Sequence, residues 1–184
     1  MKSIKKIDCI GSFEYRSVAK GLAAADKMLK SSNVDLIFSA VLCPGKYLAM
    51  VAGDISSVQE AERTLHNGEE EFILSSVVLT DVHPQVFPAL TGTSRFSKLD
   101  SLGVLETMDT ISAVQAADKI AKSAKVDLLE IRLARGMGGK GVVFFSGELA
   151  NVEEGMKNGQ AAIAGSGALI AYSIISNARP EILL

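Results

Sequence analysis

Apolar and polar positions along the chain follow one order of elements, and that order is written twice. In the first half a mixed stretch at about 7 to 15 reads as a strand. It leads into an Ala-rich segment in which Val18, Leu22, Ala25 and Leu29 recur at helical spacing. Two strand-like runs follow, 34 to 42 and 46 to 53, joined by the turn Cys43-Pro44-Gly45. A second helix is expected from Ser57, with Glu60 at the capping-box distance, and a last strand from 73 to 80. The second half predicts strand 99 to 107, a helix with Val114, Ala117 and Ile120 on one face, strands 126 to 134 and 140 to 147 joined by RGMGG, a helix beginning near Asn151 and Glu154, and strand 168 to 176.

The residues repeat as well as the pattern. GSFEYRSVAKGLAAADKMLKSSNVDL from Gly11 returns as GVLETMDTISAVQAADKIAKSAKVDL from Gly103, an offset of 92 that pairs Glu14 with Glu106, Asp26 with Asp118 and Lys30 with Lys122. A slip of two sets CPGKYLAMVAGD against MGGKGVVFFSGE, and a further slip of two sets LTDVHP, 79 to 84, against ISNARP, 175 to 180. Three blocks kept in order imply a duplicated unit. The polar stretch TGTSRFSK, 91 to 98, reads as the linker between a first domain at 1–91 and a second at 97–184. The order β-α-β-β-α-β within each copy implies an α/β (α+β) ferredoxin-like sandwich, one sheet with two helices on one face.

Composition and charge narrow the function. The chain has 184 residues, 48% hydrophobic and 22% charged, with a net charge of -2. A nucleic-acid partner calls for a concentrated basic surface, and no Lys/Arg tract supplies one. Pro44, Gly45 and Lys46 interrupt the longest apolar run, so no segment has the length to cross a bilayer. The basic start, MKSIKKIDCIGSFEYR, lacks a signal-peptide core, and a cytoplasmic location is the expectation. The two cysteines, Cys9 and Cys43, are then expected as free thiols or metal ligands.

Familiar catalytic patterns fail on context. GMGGKG, Gly136 to Gly141, has dinucleotide-loop spacing but runs into VVFFSG, a strand, where a helix N-terminus is required. As a P-loop it has Ala134 at the first glycine and Gly141 at the Ser/Thr position. GTSRF at Gly92 lacks the last glycine of a nucleophile elbow. His66 and His83 have no metal-ligand or catalytic companions at useful spacing and read as surface or interface residues. Asp26 with Lys30, and Asp118 with Lys122, have the order and spacing of helix-supporting ion pairs. Glu14 and Glu106 read as strand-end glutamates bonded to nearby backbone. No active site assembles within one chain, and the expectation is that the protein is not an enzyme.

Taken together, AADKMLKSSNVDL and AADKIAKSAKVDL, the Gly-Lys hairpins, AGD or SGE before the second helix, and a closing HP or RP resemble the bacterial microcompartment (BMC) shell domain over nearly the whole chain. Two unpermuted tandem copies resemble the trimeric members of that family, and CPGK with GDI and VHPQVFPAL resembles the PduT type of propanediol-utilisation compartments. The resemblance implies a homotrimer whose six domains form a pseudo-hexagonal tile, packed edge to edge with other shell proteins around a microcompartment in the cytoplasm. It implies a pore lined by Cys43, Pro44, Gly45 and Lys46 from the first domain and by Met137, Gly138, Gly139 and Lys140 from the second. It assigns tile-edge positions to Lys30, Lys122 and Arg179, with His83 in the arginine's place in the first copy.

A lone Cys43 before a Pro-Gly turn gains its meaning from that symmetry. A three-fold axis gathers three thiols, and the resemblance implies a [4Fe-4S] cluster held there for electron transfer across the shell, with encapsulated redox enzymes as further partners. Pro44 stiffens the turn, Gly45 allows close approach, and Lys46 is expected to offset thiolate charge. Cys9, in the first strand, is expected to be a buried small hydrophobe. Two other readings stand beside this one, a metabolite-conducting pore without metal and a ferredoxin-like trimeric sensor that binds a ligand between subunits.

Overall fold

A computed structural model describes residues 8–65, 70–96, 98–133 and 136–183. They divide into two compact units, Met1–Val82 and His83–Leu184. His66 lies outside the described residues.

The first unit runs β1 (Cys9–Tyr15), α1 (Val18–Ser31), β2 (Asp35–Leu42), β3 (Lys46–Gly53), α2 (Ile55–Leu65) and β4 (Ile73–Thr80). Its sheet has the order β2-β3-β1-β4 with every neighbouring pair antiparallel, the ferredoxin-like topology expected of the element order. Phe13, Tyr15, Met28, Tyr47, Ala49, Val51, Ala61 and Leu65 form the core between the helices and the sheet.

The helices begin where short polar side chains capture their first amides. Ser17 accepts from Lys20 N at the start of α1, and the Asp54 carboxylate accepts from Ser57 N at 2.8 Å at the start of α2. The second cap corrects the expectation of a Ser57–Glu60 capping box: α2 starts at Ile55, and Glu60 pairs with Arg63 instead. The buried stripe of α1 also differs from the sequence reading. It is Gly21, Ala24, Ala25 and Met28, while Leu22 and Leu29 are exposed. The helix lies close to the sheet because Gly21 faces Tyr47, where an added Cβ would sit 2.4 Å from the ring.

The second unit opens with α3 (Val86–Thr91), followed by β5 (Ser101–Thr107), α4 (Thr110–Ser123), β6 (Asp127–Leu133), β7 (Gly141–Gly147), α5 (Leu149–Ile163) and β8 (Leu169–Ile175). Its sheet order, β6-β7-β5-β8, repeats that of the first unit. Even the irregularities repeat, since β2 shifts register between Leu36 and Phe38 and β6 between Leu128 and Glu130. Val114, Ala117 and Ile120 are buried as expected. The helix expected near Asn151 starts at Leu149, after Glu148, which makes no side-chain cap bond.

The division after Val82 falls before the stretch 91–98 read as the linker, because α3 packs against β6 and α4. Gln85 joins that packing by donating from Nε2 to Val126 O and accepting from Leu128 N. Residues 83–91 therefore fold with the second unit.

Candidate functional site: two anchored hairpins

Each unit carries a hairpin between its second and third strands, and each hairpin is tied at its root by the same device. In β1, Glu14 lies opposite Leu48 of β3, which makes Lys46 its diagonal neighbour on the same face of the sheet. The Lys46 ammonium donates to Glu14 Oε1 at 2.7 Å. In β5, Glu106 lies opposite Val142, and Lys140, two residues earlier, donates to Glu106 Oε1 at 2.9 Å. The two anchors differ in solvation: the Glu14 side chain is 1% exposed, the Glu106 side chain 33%.

These pairs give both glutamates a side-chain partner that the reading of them as partners of nearby backbone did not include. Glu14 and Glu106 bond hairpin lysines, and the Lys46 ammonium, two positions beyond Pro44, is paired with Glu14. The signal is present in the repeat itself, which preserves a Glu in the first strand and a Lys at the hairpin root in both copies. Diagonal cross-strand geometry is the step that connects them.

Beyond the anchors the hairpins diverge. In the first, Gly45 N donates to Leu42 O at 2.8 Å, Gly45 takes φ +84°, and the Cys43–Pro44 peptide is cis. Cys43, Pro44 and Gly45 are all exposed at the tip. In the second, Lys140 N donates to Met137 O, and Gly136, Gly138 and Gly139 all adopt left-handed backbone. Met137 is half-buried, Gly138 exposed and Gly139 buried. The strand β7 begins at Gly141, so GMGGKG is a hairpin and not a nucleotide loop. Ala134 and Arg135 lie outside the described residues.

The two thiols occupy opposite environments. Cys9 is fully buried in β1, and burial pushes its pKa up, with the Asp54 and Glu62 carboxylates adding to the shift. It is a protonated core side chain, as expected. Cys43 is exposed. Among the described residues no three His, Cys, Asp or Glu side chains come together as a metal site, at Cys43 or elsewhere.

The residues expected at tile edges sit on helices and on the segments after the last strands. Lys30 is exposed and pairs with Asp26. Lys122 pairs with Asp118 at 2.6 Å, and Asp118 is itself buried. His83 is half-buried, its backbone N–H donating to Asp118 Oδ1 at 2.8 Å, whereas Arg179 is exposed. No helix among the described residues is long and apolar enough to cross a membrane.

The proteins that this chain resembles come from microcompartments and carboxysomes. The BMC domain model matches residues 9–82 and 101–178. The bacterial microcompartment shell protein PduT of Citrobacter freundii is 35% identical over 166 residues, 90% of this chain and 90% of that protein. The carboxysome assembly protein CcmO of Synechocystis is 30% identical over 181 residues, which cover 90% of this chain and 60% of CcmO. The crystal structure of a microcompartment protein from Desulfitobacterium hafniense DCB superposes with a TM-score of 0.87 at 35% identity, covering 96% of this chain and 98% of that one. The fused permuted hexameric shell protein from the RMM microcompartment shares the fold, at 20% identity and a TM-score of 0.57 over 85% of this chain and 81% of that one. With two tandem domains matched, this chain belongs to the BMC domain family and is a structural shell protein of a bacterial microcompartment, not an enzyme.

Proposed function

We propose that the chain is one third of a homotrimeric tile whose central pore holds a [4Fe-4S] cluster through Cys43 of each copy. The observation that carries this reading is the exposed Cys43 at the tip of a hairpin anchored by a lysine on a buried carboxylate, in a chain 35% identical to PduT. A thiolate is the donor that iron–sulfur clusters take, and a solvent-facing thiol at a hairpin tip can meet its equivalents around an axis without moving the sheet. When bound, the cluster supplies one-electron redox chemistry at the pore, with three protein thiolates leaving one iron to water or a small exogenous ligand.

The chain's own residues do the positioning. Pro44 restricts the turn and Gly45 takes the left-handed conformation that turns the chain into β3. Lys46 and Glu14 pin the root to the central strand, so the thiol is carried on a fixed base. Met137, Gly138, Gly139 and Lys140 line the same opening from the second domain in this reading. Lys30, Lys122, His83 and Arg179 face neighbouring tiles, and other shell proteins and encapsulated redox enzymes are the partners.

Anaerobic iron and sulfide analysis, run beside a mass measurement of the oligomer, tests this. The expected preparation is a brown trimer with a broad visible absorbance that Cys43→Ser abolishes. Wild type that takes up no iron after anaerobic reconstitution overturns the cluster and leaves a bare metabolite pore. A shell tile is expected to form flat hexagonal sheets under the electron microscope, whereas a trimeric sensor stays discrete and is stabilised by its ligand.

A further inference from the structure

Within the first unit a hollow of about 230 Å³ lies between the first turns of α1, the end of α2 and the single helical turn Glu70–Phe72. Buried side chains of Tyr15 and Leu65 form its inner wall, and half-buried Lys20 and Phe72 with exposed Lys27 form its open side. The Lys20 ammonium sits 5.4 Å from the centre of the Phe72 ring, a cation–π distance. Lys27, two turns further along α1, shares the same helix face. Among the described residues that line the hollow there is no carboxylate.

The duplication shows which of these side chains the fold itself requires. Tyr15 lies opposite Ile73 in β4, and Thr107 lies opposite Leu169 in β8. Arg16 N donates to Phe72 O at 2.9 Å, and Met108 N donates to Ala168 O at 2.8 Å. The backbone is therefore the same in both units, and the counterparts of Tyr15, Lys20, Ala23 and Phe72 are Thr107, Ser112, Gln115 and Ala168. The second unit makes its sheet and helices without the two rings and without the first lysine, and a longer side chain stands where the first unit has Ala23. All four differences meet at one hollow, and together they give it a cationic and aromatic lining that folding does not need.

We propose that this hollow binds a small organic anion, a short aliphatic chain ending in a carboxylate or a phosphate, with its head group on Lys20 and Lys27 and its chain against Phe72 and Leu65. The volume is below the roughly 300–1,000 Å³ of sites for drug-sized ligands, so the occupant is of metabolite size. An ammonium donating to an anion makes the stronger, charge-assisted kind of hydrogen bond, and the apolar wall excludes water from beside it. Consecutive residues of a strand point to opposite faces, so Tyr15 places the hollow on the helix face of the sheet while Glu14 holds the Lys46 anchor on the other. Binding in the hollow is therefore independent of Cys43.

The test titrates the full chain calorimetrically with butyrate, n-butyl phosphate and n-butanol, which share one chain and differ in the head group. At least one of the two anions should saturate one site per chain at millimolar concentration, and butanol should not. Lys20→Ser, which installs the second unit's residue, and Lys27→Gln should each weaken that anion at least about tenfold. Ala23→Gln should abolish binding with both lysines in place and circular dichroism unchanged. Lys119→Gln, the counterpart of Lys27→Gln in the second unit, and Cys43→Ser should bind as wild type does. Saturation by butyrate alone or by butyl phosphate alone upholds the site and identifies its head group. No saturable binding of either anion, butanol binding as tightly as the anions, or a loss in Lys119→Gln as large as in Lys27→Gln overturns it.

Discussion

The two hairpins share a root and differ at the tip. Lys46 on Glu14 and Lys140 on Glu106 are the same diagonal cross-strand bond, but the first is made by a carboxylate sealed in the sheet and the second by one open to water. The tip above the sealed anchor carries Cys43, and the tip above the open one carries Met137 among glycines. The repeat keeps the geometry of the root, and the better-sealed anchor is the one beneath the exposed thiol.

The largest contrast to test is between the thiols. Cys43 is exposed, whereas Cys9 is sealed in a central strand, with its thiol held protonated by burial. In native, unassembled protein a maleimide should label Cys43 at the rate of a free thiol. Cys9 should react at least about a thousandfold more slowly, because it waits on an opening that costs several kcal/mol. Comparable rates in peptide mapping would break the distinction.

Next in size is the pair of anchors. Lys46→Met takes the cation from a buried carboxylate, and with the ammonium itself partly solvated the loss is expected at about 2 kcal/mol in urea unfolding. Lys140→Met removes a half-solvated pair, worth about 0–1 kcal/mol. Equal losses would mean that the anchors are equivalent and that solvation of Glu106 has no bearing on the second hairpin.

A smaller effect belongs to the turn. Gly45 takes φ +84° with nothing within 4 Å of the place a Cβ would occupy, so Gly45→Ala meets backbone strain and no clash. The expected loss is about 1–2 kcal/mol. In the tile reading the same change lowers iron uptake, since it redirects Cys43.

Much of this is legible in the residues. Strand β4 falls on the expected 73 to 80, and the repeat gives both sheets their order through one motif read twice. The differences have specific causes. Size favours Leu22 and Leu29 for the stripe of α1, but contact with the sheet is made by Gly21, Ala24, Ala25 and Met28, because close approach favours small side chains. Leu22 and Leu29 fit helical periodicity equally well, and periodicity alone does not say which of two adjacent faces turns inward. The hairpin lysines look like free charges along the chain because a diagonal partner in another strand is invisible until register is known. Sequence continuity gives residues 83–91 to the first copy, although their bonds go to Asp118, Val126 and Leu128.

The smallest expected effect concerns the helices that follow the hairpins. The Asp54 carboxylate caps α2, accepting from Ser57 N and from the hydroxyls of Ser56 and Ser57, and these bonds hold its pKa at about 2. Glu148 stands before α5 without such bonds. A carboxylate whose folded pKa lies below its unfolded value of about 3.9 stabilises the fold above that unfolded value, and the contribution disappears as pH falls towards the folded one. Asp54→Ala should therefore lower the melting temperature at pH 7 and lose its effect between about pH 4 and pH 2, where the wild-type cap also protonates. Glu148→Ala should leave the melting temperature nearly unchanged at either pH, because no side-chain cap is removed. A deficit in Asp54→Ala that persists undiminished at pH 2 would show that the side chain acts through packing and not through its charge, and the two helix starts would then differ in shape alone.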